Sequence, residues 1–347
     1  SSLTIIRSGN SQDLEGGRKY AEVALSTLYS NMRFEVMEAR TLFLTHCLVL
    51  HSTIPKETCL KPLLQGYTVG MSTGDVESAM WSIYFYLEFC YFLGKKLKIL
   101  DYDIGVYAKQ MVSFGQLRQY HMQRGSWQVI QNLLGKSRDP FAMSGDVLED
   151  VEAIYVDESL DKSVKSVARM RQIDLAYFMC DDVNGAELAL KIRKDFILDD
   201  LNPGTSGFDR LQAHSALLSY GAVRKSKTRK YLLNAKKTHA YIKRICKKGN
   251  PNHVHLDHLI DAERAALKRR KVEAVKHYQS SILLAARRGI VSDQAIANDR
   301  YADFMAELGD YDEAHYRWNN AKDLYNDWGA VAKVELVQKK IESTRKS

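Results

Sequence analysis

Two segments near the carboxyl end, residues 256–285 and 295–325, repeat one pattern about 40 residues apart. In each, apolar residues at helical spacing are interrupted by a turn, Arg269-Arg270-Lys271 in the first and residues 309–312 in the second. A repeat of this length is one supersecondary unit that cannot bury its apolar face alone and must stack on neighbours. The repeat therefore predicts a solenoid of antiparallel helix pairs.

Small and aromatic residues recur at matching positions of the two segments. An alanine at a helix crossing lets two backbones approach closely, and a large ring fills the gap one turn away. We expect these residues to be buried between neighbouring helices. The predicted repeat-packing residues are Ala262, Ala274, Tyr278, Ala302, Ala314, Trp318 and Ala321.

The rest of the chain favours the same fold. Each of the five prolines lies at or near a break in helical periodicity, and a proline inside a helix costs about 3 kcal/mol. Alternating strand patterns are absent from the sequence. We predict an all-α superhelical solenoid with about 15 helices. Outside the two repeats, the predicted helices span residues 17–32, 33–52, 63–71, 75–92, 103–120, 125–134, 146–155, 163–180, 186–196, 208–223, 228–247 and 329–343.

One loop-rich segment, residues 136–159, interrupts the helical periodicity with turn-forming and acidic residues. We predict a single array over residues 1–347, in which this segment separates possible sub-arrays 11–135 and 160–347.

Composition limits the setting of the chain. The five cysteines are odd in number and form no CxxC pair, which disfavours a disulfide framework or a thiolate metal site and favours a reducing, cytoplasmic location. The apolar stretches are shorter than the roughly 20 residues that a membrane-spanning helix needs. The amino end has neither an initiator Met nor a signal-peptide pattern, so we expect it to be cut from a longer chain.

The strongest local feature is a basic tract over residues 224–248, which contains no acid. Apolar residues at helical spacing, such as Leu232, Ile242 and Ile245, give the tract an amphipathic character. It predicts either a docking surface for an anionic partner or the solvated back of an ordinary helix. The candidate surface residues are Arg224, Lys225, Arg229, Lys236, Lys237, Lys243 and Arg244.

Nucleic acid is the alternative partner for this tract. Single-stranded nucleic acid is usually held by aromatic side chains that stack on bases, and the tract offers only Tyr231 and Tyr241. The solvated back of a helix is therefore the preferred interpretation of the tract, and a protein or peptide is the expected partner of the array as a whole.

Two groups of residues resemble chemical sites but fail on spacing. Gly135-Lys136-Ser137 lacks the glycine five residues earlier that a phosphate-binding loop requires, because position 130 is Ile. His255 and His258 have a spacing of three rather than the four of a metal-binding helix, with His253 and Cys246 as further candidates. We interpret these histidines as helix-start residues that face solvent.

Paired carboxylates occur at 149–150, 181–182 and 199–200, in turn or helix-start contexts. Carboxylates stabilise helix starts by roughly 0.5 to 2 kcal/mol, which accounts for them without catalysis. We predict no catalytic, cofactor-binding or metal-binding residues in this chain.

The carboxyl segment closely resembles the helical-repeat region of large multidomain signalling proteins. Those proteins carry a serine/threonine-kinase-like domain, an AAA-type ATPase, a tetratricopeptide-like array, a sensory GAF domain and a histidine kinase. The matching marks are Ala262-Glu263, residues 274–278, 295–298 and 316–318, and the ending 328–330.

The resemblance implies a non-enzymatic regulatory or scaffold module, with ATP hydrolysis and phosphotransfer carried out by neighbouring domains. Its partners would be a protein, a peptide or other domains of the parent chain.

Overall fold

The computed structural model describes residues 13–30, 35–195 and 205–345, in which every regular element is a helix. Sixteen α-helices lie in these ranges, close to the number expected, and the all-α prediction is confirmed. They are Leu14–Ser30 (α1), Glu35–Leu48 (α2), Leu60–Thr73 (α3), Val76–Phe92 (α4), Leu97–Ser113 (α5), Leu117–Leu133 (α6), Val151–Val156 (α7), Lys162–Met179 (α8), Asp182–Asp195 (α9), Ser206–Ser226 (α10), Arg229–Lys247 (α11), Val254–Leu267 (α12), Lys271–Arg287 (α13), Val291–Glu307 (α14), Tyr311–Trp328 (α15) and Val331–Arg345 (α16).

The helices form two layers. Each even-numbered helix from α2 to α14 packs against the next even-numbered one, so these helices make an inner layer. Odd-numbered helices pack on the inner ones as the second members of hairpins, most extensively α13 on α12 and α15 on α14. Adjacent tightly packed pairs are the arrangement of a helical-repeat solenoid.

The hairpin turns explain where the helices stop. Gly309 follows α14 with φ +79°, a left-handed conformation that glycine adopts without steric cost, and Asp310 then caps α15 by accepting from the Glu313 amide. In the preceding hairpin, Arg269 occupies the matching position with φ +55°. The basic turn noted in the sequence therefore keeps the glycine-type geometry without the glycine.

The predicted repeat-packing residues all lie in the buried core. Tyr278 stacks on Tyr301 with ring centroids 5.1 Å apart, and its hydroxyl donates to Glu263 at 2.9 Å. The Trp318 ring nitrogen donates to Asp303 at 3.0 Å. The alanines that are fully buried are Ala262, Ala274, Ala302, Ala314 and Ala321.

One predicted hairpin, residues 103–120 with 125–134, has its turn in the wrong place. The chain turns at Gly115, which has φ +69° and lies ten residues before Gly125, so α5 already ends at Ser113. Gly125 instead lies inside α6, where a Cβ atom would come within 3.1 Å of Arg171 Cγ. It serves a close helix approach rather than a turn, a distinction that the local sequence does not contain.

The amino-terminal third of the array contacts the carboxyl-terminal third. The Trp328 ring nitrogen donates to the Lys95 carbonyl at 3.1 Å, and the Asn252 amide donates to the His51 carbonyl at 2.7 Å. Arg288 pairs with Glu57 at 2.7 Å. These contacts join residues 201 to 233 positions apart, so early and late hairpins of the array pack on one another.

The segment 136–159 contains turns and the short helix α7, not a full outer helix. The Asn132 side chain donates to the Ala142 carbonyl at 2.6 Å, and Leu148 is buried. Helices α6 and α8, which precede and follow the segment in the chain, pack directly against each other.

None of the helices in the described ranges combines the length and the apolar character that a bilayer crossing requires. All five cysteines are described, and all are free thiols.

Candidate functional site

The predicted basic tract is divided between two helices. Arg224 belongs to the last turn of α10, and its side chain is 8% exposed. It lies 3.3 Å from Glu263 on α12 and 3.3 Å from Glu307 on α14. The prediction that Arg224 belongs to an outer docking surface is therefore wrong. Arg224 lies on the inner-layer helix α10, and its side chain points at two neighbouring carboxylates.

Two further members of the predicted surface also have carboxylate partners. Lys225 lies 3.0 Å from Asp182, and Lys243 lies 2.8 Å from Asp261. The remaining four are exposed and have no ion pair within the described ranges. They are Arg229, Lys236, Lys237 and Arg244.

A groove of about 450 Å³ lies between α9, α10 and α11. Its lining includes the apolar side chains of Ile192, Phe208 and Leu211, together with the cations Lys237 and Arg244. Seven residues separate these two cations, which is close to two helical turns, so they project from the same side of α11. A third cation, Arg193 of α9, also lines the groove, and none of the lining residues in the described ranges is acidic.

Sequence reasoning found only part of this groove. Lys237 and Arg244 were visible as members of the basic tract, whereas Arg193 and Phe208 come from other helices and carry no local signal. The groove exists because three helices meet, which a helix-by-helix prediction does not reach.

A second groove lies at the amino end of the inner layer, where two adjoining cavities of about 240 and 500 Å³ share Phe43, Leu48 and Trp81. Phe43 stacks on Trp81 with ring centroids 6.0 Å apart and an interplanar angle of 10°. Arg118 covers the Trp81 ring at 5.5 Å and pairs with Asp161 at 3.0 Å. Residues 76–92 are apolar on nearly all sides of the helix, so their periodicity does not indicate which face borders this groove.

The inner layer buries a network of charges. Arg171 pairs with Glu88 at 2.6 Å and with Asp174, and all three side chains are at most 3% exposed. His214 contacts the other Asp174 oxygen at 2.8 Å. Burial and the nearby Arg210 lower the pKa of His214 to about 4, so this imidazole is neutral at pH 7. A histidine beside a carboxylate resembles a catalytic pair, but His214 is fully buried and stacked on a tyrosine ring.

A second inner network joins the final helix to α14. Lys333 and Lys340 both pair with Asp299, at 2.9 and 2.8 Å. Burial alone would raise the pKa of Asp299, but the two ammonium groups lower it well below its usual range. Cys180 accepts from the Lys333 ammonium at 3.4 Å, and burial raises the pKa of its thiol. The Lys333 ammonium therefore pairs with the Asp299 carboxylate, and the Cys180 thiol stays protonated.

The histidines near residue 255 do not converge on one site, and two of them do not face solvent as predicted. His253 and His255 are buried, and His255 lies 2.8 Å from Asp293. His258 contacts His277 on α13 instead. The solvent-facing interpretation of the first two was wrong because α12 is an inner-layer helix whose first turn points at α14. Burial raises the pKa of Cys246 to about 12, which disfavours its thiolate as a metal ligand.

A different trio of potential metal ligands comes together between α11 and α12. His239, Asp257 and Asp261 offer ligand atoms within 4.8 Å of one another. However, Lys243 and Arg264 each lie 2.8 Å from Asp261. Both cations pair with Asp261, whereas Asp257 lies 3.3 Å from His239. The three side chains therefore have polar neighbours within the array.

The remaining sequence candidates occupy turns and helix starts. Gly135 ends α6 with φ +76°, and Lys136 pairs with Asp101 at 2.6 Å. Asp150 caps α7 by accepting from the Glu152 amide at 2.9 Å. Asp182 lies in the first turn of α9 and pairs with Arg300 at 2.8 Å. The pair 199–200 lies outside the described residues.

No known protein-family model matches the chain, and no curated protein matches it.

Proposed function

We propose that this chain is a non-catalytic, tetratricopeptide-like scaffold that binds a protein segment in the groove between α9, α10 and α11. The single observation that supports this most is the composition of that groove over about 450 Å³: apolar walls, three cations and, among the residues that the structure describes, no acid. Helical arrays bind peptides by placing apolar anchors in pockets between neighbouring helices. The groove has the size and the chemistry for such anchors.

The cations specify the class of segment. Lys237 and Arg244 are exposed, and Arg193 of α9 is half-buried and donates to Asn234 of α11 at 3.4 Å. Charges at the edge of an interface steer association and reject partners of the same sign. The preferred partner is an amphipathic segment whose apolar side chains enter the groove and whose Asp or Glu residues reach these three cations.

The buried titratable groups support a structural rather than a chemical role. Asp174, His214 and Asp299 are fully or almost fully buried and are held by partners within the inner layer. A substrate has no access to them in this arrangement.

The resemblance to signalling proteins extends the proposal to regulation. The scaffold would bind another domain of a parent ATPase or histidine kinase, or a separate protein partner. Binding changes the activity of an attached domain only if the segment binds two conformations with unequal affinity.

A peptide-display selection on the whole chain tests the proposal. We expect the enriched peptides to combine apolar residues at helical spacing with flanking Asp or Glu. Binding of one such peptide, measured by fluorescence anisotropy, should weaken about tenfold or more for Lys237→Glu and for Arg244→Glu.

Lys339→Glu is the matched control, because Lys339 is an exposed lysine on α16, remote from the groove in sequence and in its helix contacts. An equal loss with this variant would show only a general charge effect. Enrichment of peptides without acids, or binding that is indifferent to the groove variants, would overturn the proposal.

Nucleic acid remains the alternative, and the exposed cations of the tract, including Arg229, Lys236, Lys237 and Arg244, favour it. Both aromatic residues of the tract are already engaged, however: Tyr231 is buried and donates to Glu187 at 2.9 Å, and Tyr241 donates to Asp209 at 2.6 Å. Affinity for an oligonucleotide through six phosphates should fall about a thousandfold between roughly 50 and 200 mM salt. Anisotropy with a labelled oligonucleotide over that salt range distinguishes the two functions.

A further inference from the structure

The histidine and the two aspartates between α11 and α12 bring three ligand-type atoms together. Asp257 and Asp261 are four residues apart in α12, so their carboxylates lie on one face of that helix. His239 of α11 faces them, with its Nε2 atom 3.3 Å from Asp257 Oδ1 and 3.6 Å from Asp261 Oδ1. The cluster therefore spans the junction between two consecutive hairpins.

The three facing atoms have no hydrogen-bond partner in the described structure. His239 Nε2, Asp257 Oδ1 and Asp261 Oδ1 are all buried, and the His239 side chain is only 5% exposed. Neither oxygen is placed to accept a hydrogen bond from Nε2, although both lie close to it. Buried polar atoms normally have a partner, so three that face one another point to a ligand between them.

The distances from Nε2 distinguish a metal ion from a water molecule. A tetrahedral zinc ion with bonds of about 2.0–2.2 Å holds its ligand atoms about 3.3–3.6 Å apart. A water molecule with hydrogen bonds of about 2.8 Å would hold its partners about 4.6 Å apart. The separations of 3.3 and 3.6 Å between Nε2 and the two oxygens match the ion.

The other polar atoms of the cluster are held from outside, as those of metal ligands usually are. His239 Nδ1 lies 3.5 Å from the Tyr220 hydroxyl, and Lys243 donates to Asp261 Oδ2 at 2.8 Å. With the Nδ1 proton donated to Tyr220, Nε2 presents its lone pair to the two carboxylates.

The charges on the two carboxylates are unequally balanced. Arg264 Nη2 lies 2.8 Å from Asp261 Oδ1 and competes with any ion at that oxygen, but its side chain is 36% exposed and can turn towards solvent. In the part of the chain that the structure describes, no Lys or Arg pairs with Asp257. The Asp257 side chain is 22% exposed, which gives a cation a path to the cluster.

We propose that His239, Asp257 and Asp261 bind one Zn²⁺ ion, which fastens α11 to α12. Imidazole nitrogen and carboxylate oxygen are both zinc ligands, whereas Mg²⁺ and Ca²⁺ prefer oxygen ligands alone. Three protein ligands leave the fourth tetrahedral position to a water molecule. This site goes beyond the scaffold function and does not depend on the peptide groove.

Competition of the metal-free whole chain against a chromophoric zinc chelator tests the site. We expect one equivalent of Zn²⁺ to bind, with no competition from Mg²⁺. Asp257→Ala should weaken zinc binding about a hundredfold or more, which exceeds the effect of losing most outer partners. Arg264→Met should instead tighten binding about two- to fivefold, because it removes the cation that competes for Asp261.

Two variants serve as controls. Asp312→Ala removes an exposed carboxylate near the start of α15 and should leave zinc affinity unchanged. His277→Gln disrupts the only other close histidine pair in the described ranges, in which His258 and His277 are 3.1 Å apart, and should also leave it unchanged. Failure to bind one equivalent, unaltered affinity in Asp257→Ala, or an equal loss in His277→Gln would overturn the proposal.

Crystals of the unaltered chain grown with Zn²⁺ provide a test that does not depend on a variant folding. Anomalous diffraction measured on both sides of the zinc absorption edge should give a peak between His239 Nε2 and the two carboxylates. A peak at His258 and His277 instead, or none in the array, would refute the site.

Discussion

In the hairpins α12–α13 and α14–α15, the predicted packing positions are alanines and large rings, whereas the inner face of the same array buries carboxylates and cations. Ala274 and Ala302 are fully buried among apolar neighbours. Glu88, Arg171 and Asp174 are almost as deeply buried and depend on one another for charge balance. The two regions therefore have similar burial but different vulnerabilities.

The difference follows from how much stability is lost when each kind of contact is altered. An apolar interface loses stability in proportion to misfit volume, and neighbouring side chains relax to absorb part of it. A buried ion pair contributes little net stability because desolvation offsets attraction, but removing one partner leaves an uncompensated charge. The inner face should therefore be the more fragile of the two regions.

Arg171→Met should have the largest effect, a loss of about 3–5 kcal/mol in the free energy of unfolding. The variant leaves Glu88 and Asp174 buried without their shared guanidinium. Urea denaturation followed by circular dichroism measures the loss.

Arg118→Met is the control for this variant, because Arg118 pairs with Asp161 at 54% side-chain exposure. Exposed pairs are worth about 0–1 kcal/mol, so the control should change stability little. Equal losses from the two variants would contradict the proposed fragility of the inner face.

Ala274→Leu should cost about 1–3 kcal/mol, because the larger side chain has no space at a fully buried helix crossing. Ala286→Leu on the same helix α13 is exposed and should cost less than about 0.5 kcal/mol. Denaturation midpoints of the two variants give the comparison. If Ala274→Leu proved more damaging than Arg171→Met, the ranking of the two regions would be reversed.

Asp209 lies at the edge of the inner layer and should reveal its electrostatics through pH. Burial raises the pKa of Asp209 to about 6, although the Tyr241 hydrogen bond and Lys56 oppose the rise. The folded state then binds this proton more tightly than the unfolded state, so its contribution to stability is lost as pH rises from about 4 to about 6. Asp209→Asn removes that loss and should stabilise the protein at pH 7 by about 1–2 kcal/mol.

The measurement is the difference in unfolding free energy between this variant and the unaltered chain at pH 4, 5, 6 and 7. Taking the difference cancels the pH dependence that other groups contribute. One such group is Asp174, whose pKa Arg171 and His214 lower although burial opposes this. A difference that is constant over this range would show that Asp209 titrates as an ordinary exposed carboxyl.

The hairpins can be predicted from local sequence patterns, whereas most contacts of the inner face cannot, for a physical reason. Helical periodicity and turn residues act over a few positions, so the hairpin around Gly309 and the burial of Ala302 could be predicted from neighbours in the chain. Glu88 and Arg171 are 83 residues apart, and neither lies in a local sequence pattern that predicts the other as its partner.

The candidate groove between α9, α10 and α11 could be predicted in part. Lys237 and Arg244 were found because they share one helix, but Arg193 comes from another helix and Arg224 belongs to the inner layer. A charge on an amphipathic helix is readable from sequence, whereas its partner across a helix interface is not. Gly125 shows the same limit, because its close approach to Arg171 is a tertiary property.

The smallest expected effect concerns the turns that both regions share. Arg269 and Gly309 follow α12 and α14 in the same geometry, since the amide of each donates to a carbonyl three residues earlier, at 2.9 and 3.0 Å. A non-glycine residue with positive φ costs roughly 1–2 kcal/mol, and glycine recovers this at some cost in unfolded-state entropy. Arg269→Gly should therefore stabilise the protein by about 0.5 kcal/mol in urea denaturation. Arg269→Ala removes the same charge but keeps the strain, so a gain with alanine equal to that with glycine would assign the effect to repulsion among the basic residues of this turn.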